Sequence, residues 1–413
     1  MIEIAAERGY GAVTVRRLTR VAGVSTRSFY ENFGEKEECF LGTYEWLVRR
    51  AARRMVGSQK AGRDWRQRLH LGLRALARDL AADPEAARLL LVEVFAVGPS
   101  AQERMSRAEA IFEAVVKTSL AEAPEEAMPP PFASRAIIAG VTTVARGRLL
   151  AGQVEELPGI VDELVEWALS YACGAAASAE QRGRPAEPWV SRDFQRGLEE
   201  EEEYRHRQVQ GDERALVLGA VAKLAANDGY AALAPSRICA AAGVSRKAFD
   251  THFDGVEACF LAAVEQLSTE AISEAARESA GTESWAAGLY RAVAILCERI
   301  AHDRVLSRLA FVEGLPPGPD GMRHRKRLLV AVAERLRRSV PPEQNLSKLA
   351  AEASVGATWD AIHRQVAAGR APRLPQQADR LTFLLLAPAI GGALATDTIR
   401  DGDERFGEPS RLA

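Results

Sequence analysis

The segment Thr14 to Phe33, TVRRLTRVAGVSTRSFYENF, gathers the side chains in this chain best suited to chemistry. Arg16, Arg17 and Arg20 bring positive charge, and Glu31 is the one acid in the segment. Thr26, Arg27, Ser28, Tyr30 and Asn32 follow closely. Their guanidinium, hydroxyl and amide groups are of the kinds that bind phosphate oxygens and base edges. To act together they must share one face of a rigid element. The sequence supplies that frame. Thr14 can cap a short helix carrying Leu18 and Val21 inward, Gly23 permits a tight turn, and Ser25 can cap a second helix whose Phe29 and Phe33 enter a small core. The pattern predicts a helix-turn-helix whose second helix turns its polar face outward. A three-helix capping domain would share the turn but has no need of the basic face.

With 54 basic and 56 acidic residues the formal charge is −2, so nucleic acid must be met by such a local patch and not by overall charge. No run approaches the roughly 20 apolar residues that cross a bilayer, so no membrane contact is expected. Met1 to Arg8 carries no secretory pattern, and a cytoplasmic location is expected. Cys39, Cys173, Cys239, Cys259 and Cys297 form no CxxC pair and sit in apolar helical patterns, as reduced buried thiols do. No cofactor or metal is expected. Nucleophile, phosphate-loop and dinucleotide motifs are lacking, and the chain is not read as an enzyme.

The elements around this segment occur twice. Shifting the 413-residue chain by 220 aligns Ala5 to Leu47 with Ala225 to Leu267 without a gap, at 18 identities in 43 positions. Trp65/Trp285, Val92-Glu93/Val312-Glu313 and Gly98-Pro99/Gly318-Pro319 continue the register. The chain reads as a tandem duplication. Leu69, Leu73, Leu76 and Leu80 typify a helical periodicity, with no convincing strand, so the expected fold is all-α with about nine helices per half. Asp83-Pro84 reads as a helix start and Gly98-Pro99 as a helix end. Between the halves, small residues, prolines and the acidic run Glu199 to Glu203 read as a solvated tether.

ERGYGAVTVRRLTRVAGVSTRSFYENFGEKEECF, Glu7 to Phe40, resembles the DNA-binding domain of the TetR family of bacterial transcriptional regulators. The likeness covers the Gly-Tyr pair, the threonine cap, the Ala-Gly-Val-Ser turn, the Phe-Tyr recognition helix and the Lys-Glu-Glu opening of a long fourth helix. It implies a head followed by a helical domain that binds a small ligand and dimerises. Two such units in one chain imply a monomeric pseudo-dimer. The expected domains are a helix-turn-helix at 1–48 with a truncated first helix, a regulatory domain at 49–178, a linker at 179–211, a second helix-turn-helix at 212–268, a second regulatory domain at 269–400 and a tail at 401–413.

The resemblance implies that Thr14, Tyr30 and Lys36 meet phosphate, beside Arg16, Arg17, Ser25, Thr26, Arg27, Ser28 and Asn32. In repeat 2 the three become Ala234, Asp250 and Val256, and an aspartate repels phosphate. Ser236, Arg237, Ser245, Arg246, Lys247 and His252 remain as candidates there, so the expected partner is double-stranded DNA with non-identical half-sites. The resemblance also implies a ligand cavity in each helical domain. Trp65, Leu69, Phe95 and Phe112 are its candidates in half 1, and Trp285, Tyr290, Phe311, Trp359 and His363 in half 2, for a small apolar ligand. Helices near 132–152 with 158–177, and 346–369 with 375–395, are expected to pair the halves. The expected function is a repressor released by its ligand. The alternative is a helical small-molecule-binding or interaction module with degenerate DNA binding.

Overall fold

The computed structural model describes residues 1–172, 213–282, 284–313 and 319–406. Among these every regular element is helical, so the chain is all-α. The N-terminal half runs through α1 (Ile2–Arg8), a 3-10 turn (Tyr10–Ala12), α2 (Val15–Ala22), α3 (Thr26–Asn32), α4 (Lys36–Gln59), α5 (Trp65–Ala82), α6 (Pro84–Leu91), a 3-10 turn (Glu93–Ala96), α7 (Pro99–Leu120), α8 (Ala133–Leu150) and α9 (Val161–Leu169). The C-terminal half runs through α10 (Glu213–Asp228), α11 (Pro235–Ala242), α12 (Arg246–His252), α13 (Val256–Glu278), α14 (Trp285–His302), α15 (Arg304–Arg308), a π turn (Leu309–Glu313), α16 (Pro319–Ser339), α17 (Lys348–Ala367), α18 (Ala378–Ile390) and α19 (Gly392–Phe406). Helices α2 to α5 each begin 220 residues before α11 to α14. The first helices differ: α1 has 7 residues and α10 has 16. The expected linker and Cys173 lie outside the described residues.

Local chemistry explains the helix ends. Asp83 accepts the Ala86 N–H at 3.0 Å with Pro84 at the first position of α6, as its sequence suggests. Gly98-Pro99, expected to end a helix, instead opens α7. Gly98 takes φ 108°, which glycine tolerates, and Pro99 fits the first helical turn, where no N–H is required.

The chain divides into two compact units. The first comprises Met1–Ala175, Pro317–Lys326 and Glu352–Ala357; the second comprises Ala176–Pro316, Arg327–Ala351 and Thr358–Ala413. In the first, the head has no separate core. Ile4, Tyr10, Val13, Leu18, Phe29 and Phe40 are buried in one cluster with Leu89, Val94 and Ala108 of the helices that follow. In the second, Val217, Val221, Ile238, Phe249 and Phe260 are buried together with Leu309. Burial of this shared apolar surface stabilises head and body as one piece.

Two tryptophans and a tyrosine inside the units are matched to polar partners. In the first, Trp167 Nε1 donates to Ser354 Oγ at 2.9 Å, and a Cβ added at Gly140 would strike the Trp167 ring and come within 2.8 Å of the Ala353 carbonyl oxygen. In the second, Trp285 Nε1 donates to Ser339 Oγ at 3.1 Å and the Tyr290 hydroxyl to Asp379 at 3.2 Å.

Candidate nucleic-acid interface

In the first unit the turn between α2 and α3 is built by two caps and a glycine. Thr14 Oγ1 accepts the Arg17 N–H at 3.3 Å, and Ser25 Oγ accepts the Ser28 N–H at 3.0 Å. Gly23 sits at φ 68°, in the left-handed region that a side chain would strain. Phe29 is buried, and the half-buried Phe33 ring lies 5.5 Å from it. Val21 is not inward as expected but 52% exposed. The buried arc of α2 is centred between Leu18 and Thr19, which puts Val21 about 110° from its middle at 100° per residue. Thr19 is tolerated inside because its hydroxyl donates to the Arg16 carbonyl at 3.2 Å.

This frame presents Thr26, Arg27, Tyr30 and Asn32 to solvent on α3, with Ser28 half-buried between them. Tyr30 is 56% exposed, its ring edge-on to Phe29 at 5.4 Å. Arg27 pairs with Glu31 at 3.0 Å, and Asn32 Nδ2 donates to the Ser28 carbonyl at 2.9 Å. Thr14, Arg16 and Ser25 are exposed and Arg17 is half-buried. Lys36 is turned inward: its ammonium donates to the Val13 carbonyl at 3.2 Å and lies 4.6 Å from the centre of the Tyr10 ring.

The second head keeps the frame and changes its face. Ala234 has no capping side chain, and Pro235 at the first position of α11 supplies the helical φ instead. Ser245 caps α12 by accepting the Ala248 N–H at 3.1 Å, and Gly243 sits at φ 69°. Arg246 Nε lies 2.9 Å from both carboxylate oxygens of Asp250. Arg237 donates to the Ala232 carbonyl at 2.9 Å and to Asp228 at 2.6 Å. Ser236, Lys247 and His252 are exposed. Two of the basic candidates on this head are therefore held by its own acids.

The proposed ligand-lining residues separate into distinct settings. Trp65 and Leu69 are buried along α5, Trp285 and Tyr290 along α14. Phe311, Trp359 and His363 come together: Trp359 stacks on His363 at 5.0 Å, Phe311 lies 5.8 Å from Trp359, and the Phe311 carbonyl oxygen is bonded by His363 Nδ1. Phe95 and Phe112 pack against the core that the first head shares. The surroundings of Phe95 are charged, since Arg146 lies 5.0 Å over its ring and donates to the Leu91 carbonyl at 2.8 Å. Burial lowers Arg146 to about 10, opposed by Glu109 and Tyr44.

Two further residues are absent from the sequence-based set. Glu93 Oε2 accepts the Tyr10 N–H at 2.9 Å, and Glu313 Oε2 accepts the Tyr230 N–H at 3.1 Å. Their signal in the sequence is the Val92-Glu93/Val312-Glu313 match.

Residues 2–43, which contain the first helix-turn-helix, match the family model described as bacterial regulatory proteins, tetR family. No curated protein matches the chain. Among solved structures, the transcriptional regulator FadR from Bacillus subtilis in complex with stearoyl-CoA is 18% identical, over 41% of this chain and 94% of that one, at a TM-score of 0.37. The fatty acid degradation regulator FadR from Bacillus halodurans is 18% identical, over 43% and 95%, at 0.36. A TetR family transcription regulator from Marinobacter aquaeolei VT8 is 21% identical, over 40% and 90%, at 0.29. No helix of the described residues is long and apolar enough to cross a membrane.

Proposed function

We propose that this chain is a sequence-specific DNA-binding transcriptional regulator, a repressor released by a small-molecule ligand, with two unlike reading heads in one polypeptide. The observation that carries the reading is the first head. Its capped turn holds α3 with Thr26, Arg27, Tyr30 and Asn32 exposed, inside the segment that matches the tetR-family model. Such a helix enters the major groove, where arginine, threonine, tyrosine and asparagine side chains reach base edges and phosphates.

A monomeric pseudo-dimer is the finer part of the proposal. It is supported by the ungapped match of Ala5 to Leu47 with Ala225 to Leu267 at a shift of 220 residues and by the helix starts that follow it. The Gly140, Trp167, Ala353 and Ser354 packing also fits a pairing surface in which small residues let helices approach closely. A covalent link of this kind makes pairing independent of protein concentration. The ligand would act by favouring a head separation that no longer fits successive major-groove faces about 34 Å apart.

A second reading, in which the second head is only a structural partner, is favoured by Ala234, Asp250 and Val256 at the positions of Thr14, Tyr30 and Lys36. Selection from a random pool of duplex DNA with the full chain tests the proposal. Recovery of a site with two unlike half-sites supports it, a single half-site supports the second reading, and no enrichment contradicts both. Sedimentation of a species at the single-chain mass of 44.8 kDa supports the pseudo-dimer; a dominant species of twice that mass contradicts it.

A further inference from the structure

A carboxylate, buried in the first case and half-buried in the second, joins each head to the helices that follow it, and the same four residues do so in both repeats. In the first, Glu93 stands just after α6, is 2% exposed, and accepts the backbone N–H of Tyr10 at 2.9 Å and Arg88 Nε at 3.0 Å. Gly9 makes room. It takes φ 79°, and a Cβ there would lie 3.4 Å from Glu93 Oε2. In the second, Gly229 takes φ 82°, Glu313 Oε2 accepts the Tyr230 N–H at 3.1 Å, and Arg308 bonds Glu313 Oε1 at 2.9 Å. Gly9, Tyr10, Arg88 and Glu93 stand 220 residues before Gly229, Tyr230, Arg308 and Glu313.

The bonded amide occupies a strategic place. Tyr10 opens the 3-10 turn between α1 and α2. Its ring meets Phe40 of α4 edge-on at 5.0 Å, under the Lys36 ammonium that holds the Val13 carbonyl. The turn is thus fixed to the head by its ring and to the α6 corner by its N–H. A buried carboxylate gives up such a bond at a large cost, because it is left desolvated with a donor missing. The head must therefore either move with the α6 corner or break this bond.

We propose that Glu93 and Glu313 are positioning residues that make the orientation of each DNA-reading head follow the corner at Arg88–Glu93 or Arg308–Glu313. A displacement of that corner then reaches the recognition helix through one carboxylate-to-amide bond. The role in DNA binding rests on the function proposed above; the bond and its mechanical effect do not. The second joint is the looser of the two, with Glu313 17% exposed at its side chain against 2% for Glu93.

Hydrogen exchange of the full chain labelled with 15N-tyrosine reads the joint directly, because seven tyrosines give few signals. Glu93→Ala should speed exchange at the Tyr10 amide by at least about tenfold and leave Tyr230 unchanged, and Glu313→Ala should do the reverse. Glu93→Gln keeps an acceptor oxygen and should restore most of the protection. Gly9→Ala, which strains the turn from the other side, should reproduce the Glu93→Ala pattern if the bond and not the glutamate itself matters. Unchanged Tyr10 exchange in both Glu93→Ala and Gly9→Ala, or equal acceleration at Tyr10 and Tyr230, would overturn the proposal. On DNA selected with the wild-type chain, Glu93→Ala should weaken binding about fivefold or more while Glu93→Gln stays near wild type. If exchange responds as expected and no DNA is ever selected, the joint stands and the DNA-binding reading fails. Normal affinity in Glu93→Ala with accelerated exchange would overturn the positioning role alone.

Discussion

Arg246 on α12 faces both carboxylate oxygens of Asp250 one turn later, at 2.9 Å from each. At the equivalent of Asp250 the first head has Tyr30, an exposed hydroxyl. One substitution thus removes a neutral hydrogen-bonding group and occupies a neighbouring cation. Asp250→Asn should reverse the second effect. Exposed pairs of this kind are worth about 0–1 kcal/mol, so Arg246 is easily released. DNA affinity should rise, and the slope of log affinity against log salt should steepen by up to about 0.9 as one more phosphate is neutralised. Fluorescence anisotropy at several salt concentrations measures both. A fall in affinity would show that Asp250 itself contributes to reading.

Tyr30 and Lys36 should separate in the same experiment. Tyr30→Phe removes a neutral donor and should weaken binding by roughly 0.5–1.5 kcal/mol at constant salt slope. Lys36→Ala removes an ammonium that also braces Val13 and Tyr10. It should flatten the slope by up to about one unit and also lower the unfolding free energy by roughly 1 kcal/mol. Unchanged stability in chemical denaturation of Lys36→Ala would remove its bracing role.

Much of the first head was legible in the sequence because its determinants are local. Thr14 and Ser25 cap N–H groups three residues on, Gly23 ends α2, and Phe29 and Phe33 are one turn apart. Val21 departs from its pattern because three-residue spacing from Leu18 also suits the edge of a narrow buried arc, whose other side Thr19 fills. The Arg246–Asp250 pair could have been read from its four-residue spacing. The joints could not be derived from local pattern, since Tyr10 and Glu93 lie 83 residues apart; the repeat alone marked them. Ligand residues were the least legible, because an aromatic at helical spacing looks the same in a core and in a cavity.

Gly140 is a strong test of packing in the first unit. Any side chain there meets the Trp167 ring and the Ala353 carbonyl oxygen. Gly140→Ala should lower stability by roughly 1–3 kcal/mol as an overpacking change, despite the better helix propensity of alanine. An unchanged or raised denaturation midpoint would show that this contact yields.

Burial pushes the thiols of Cys259 and Cys297 up to about 12. Both should stay unmodified by iodoacetamide in the native chain at neutral pH and react once it unfolds. Because the folded values lie above the ordinary thiol value of 9.0, their contribution to stability is full below pH 9 and is lost as pH rises towards 12. Replacing both by alanine should therefore flatten the alkaline part of the stability profile, followed by denaturation between pH 8 and pH 11. An unaltered alkaline slope would mean that other groups govern it.

Selection from random duplex DNA, run in parallel on the wild-type chain and on a variant carrying Thr26→Ala, Arg27→Ala and Tyr30→Phe, tests the proposed pair of unlike DNA-reading heads. These three side chains lie on α3 and leave the caps, the turn and the second head intact. The wild type should select two unlike half-sites about 34 Å apart, and the variant should lose or relax one of them while keeping the other. A perfect palindrome from the wild type, or a variant consensus unchanged in both half-sites, would contradict the proposal.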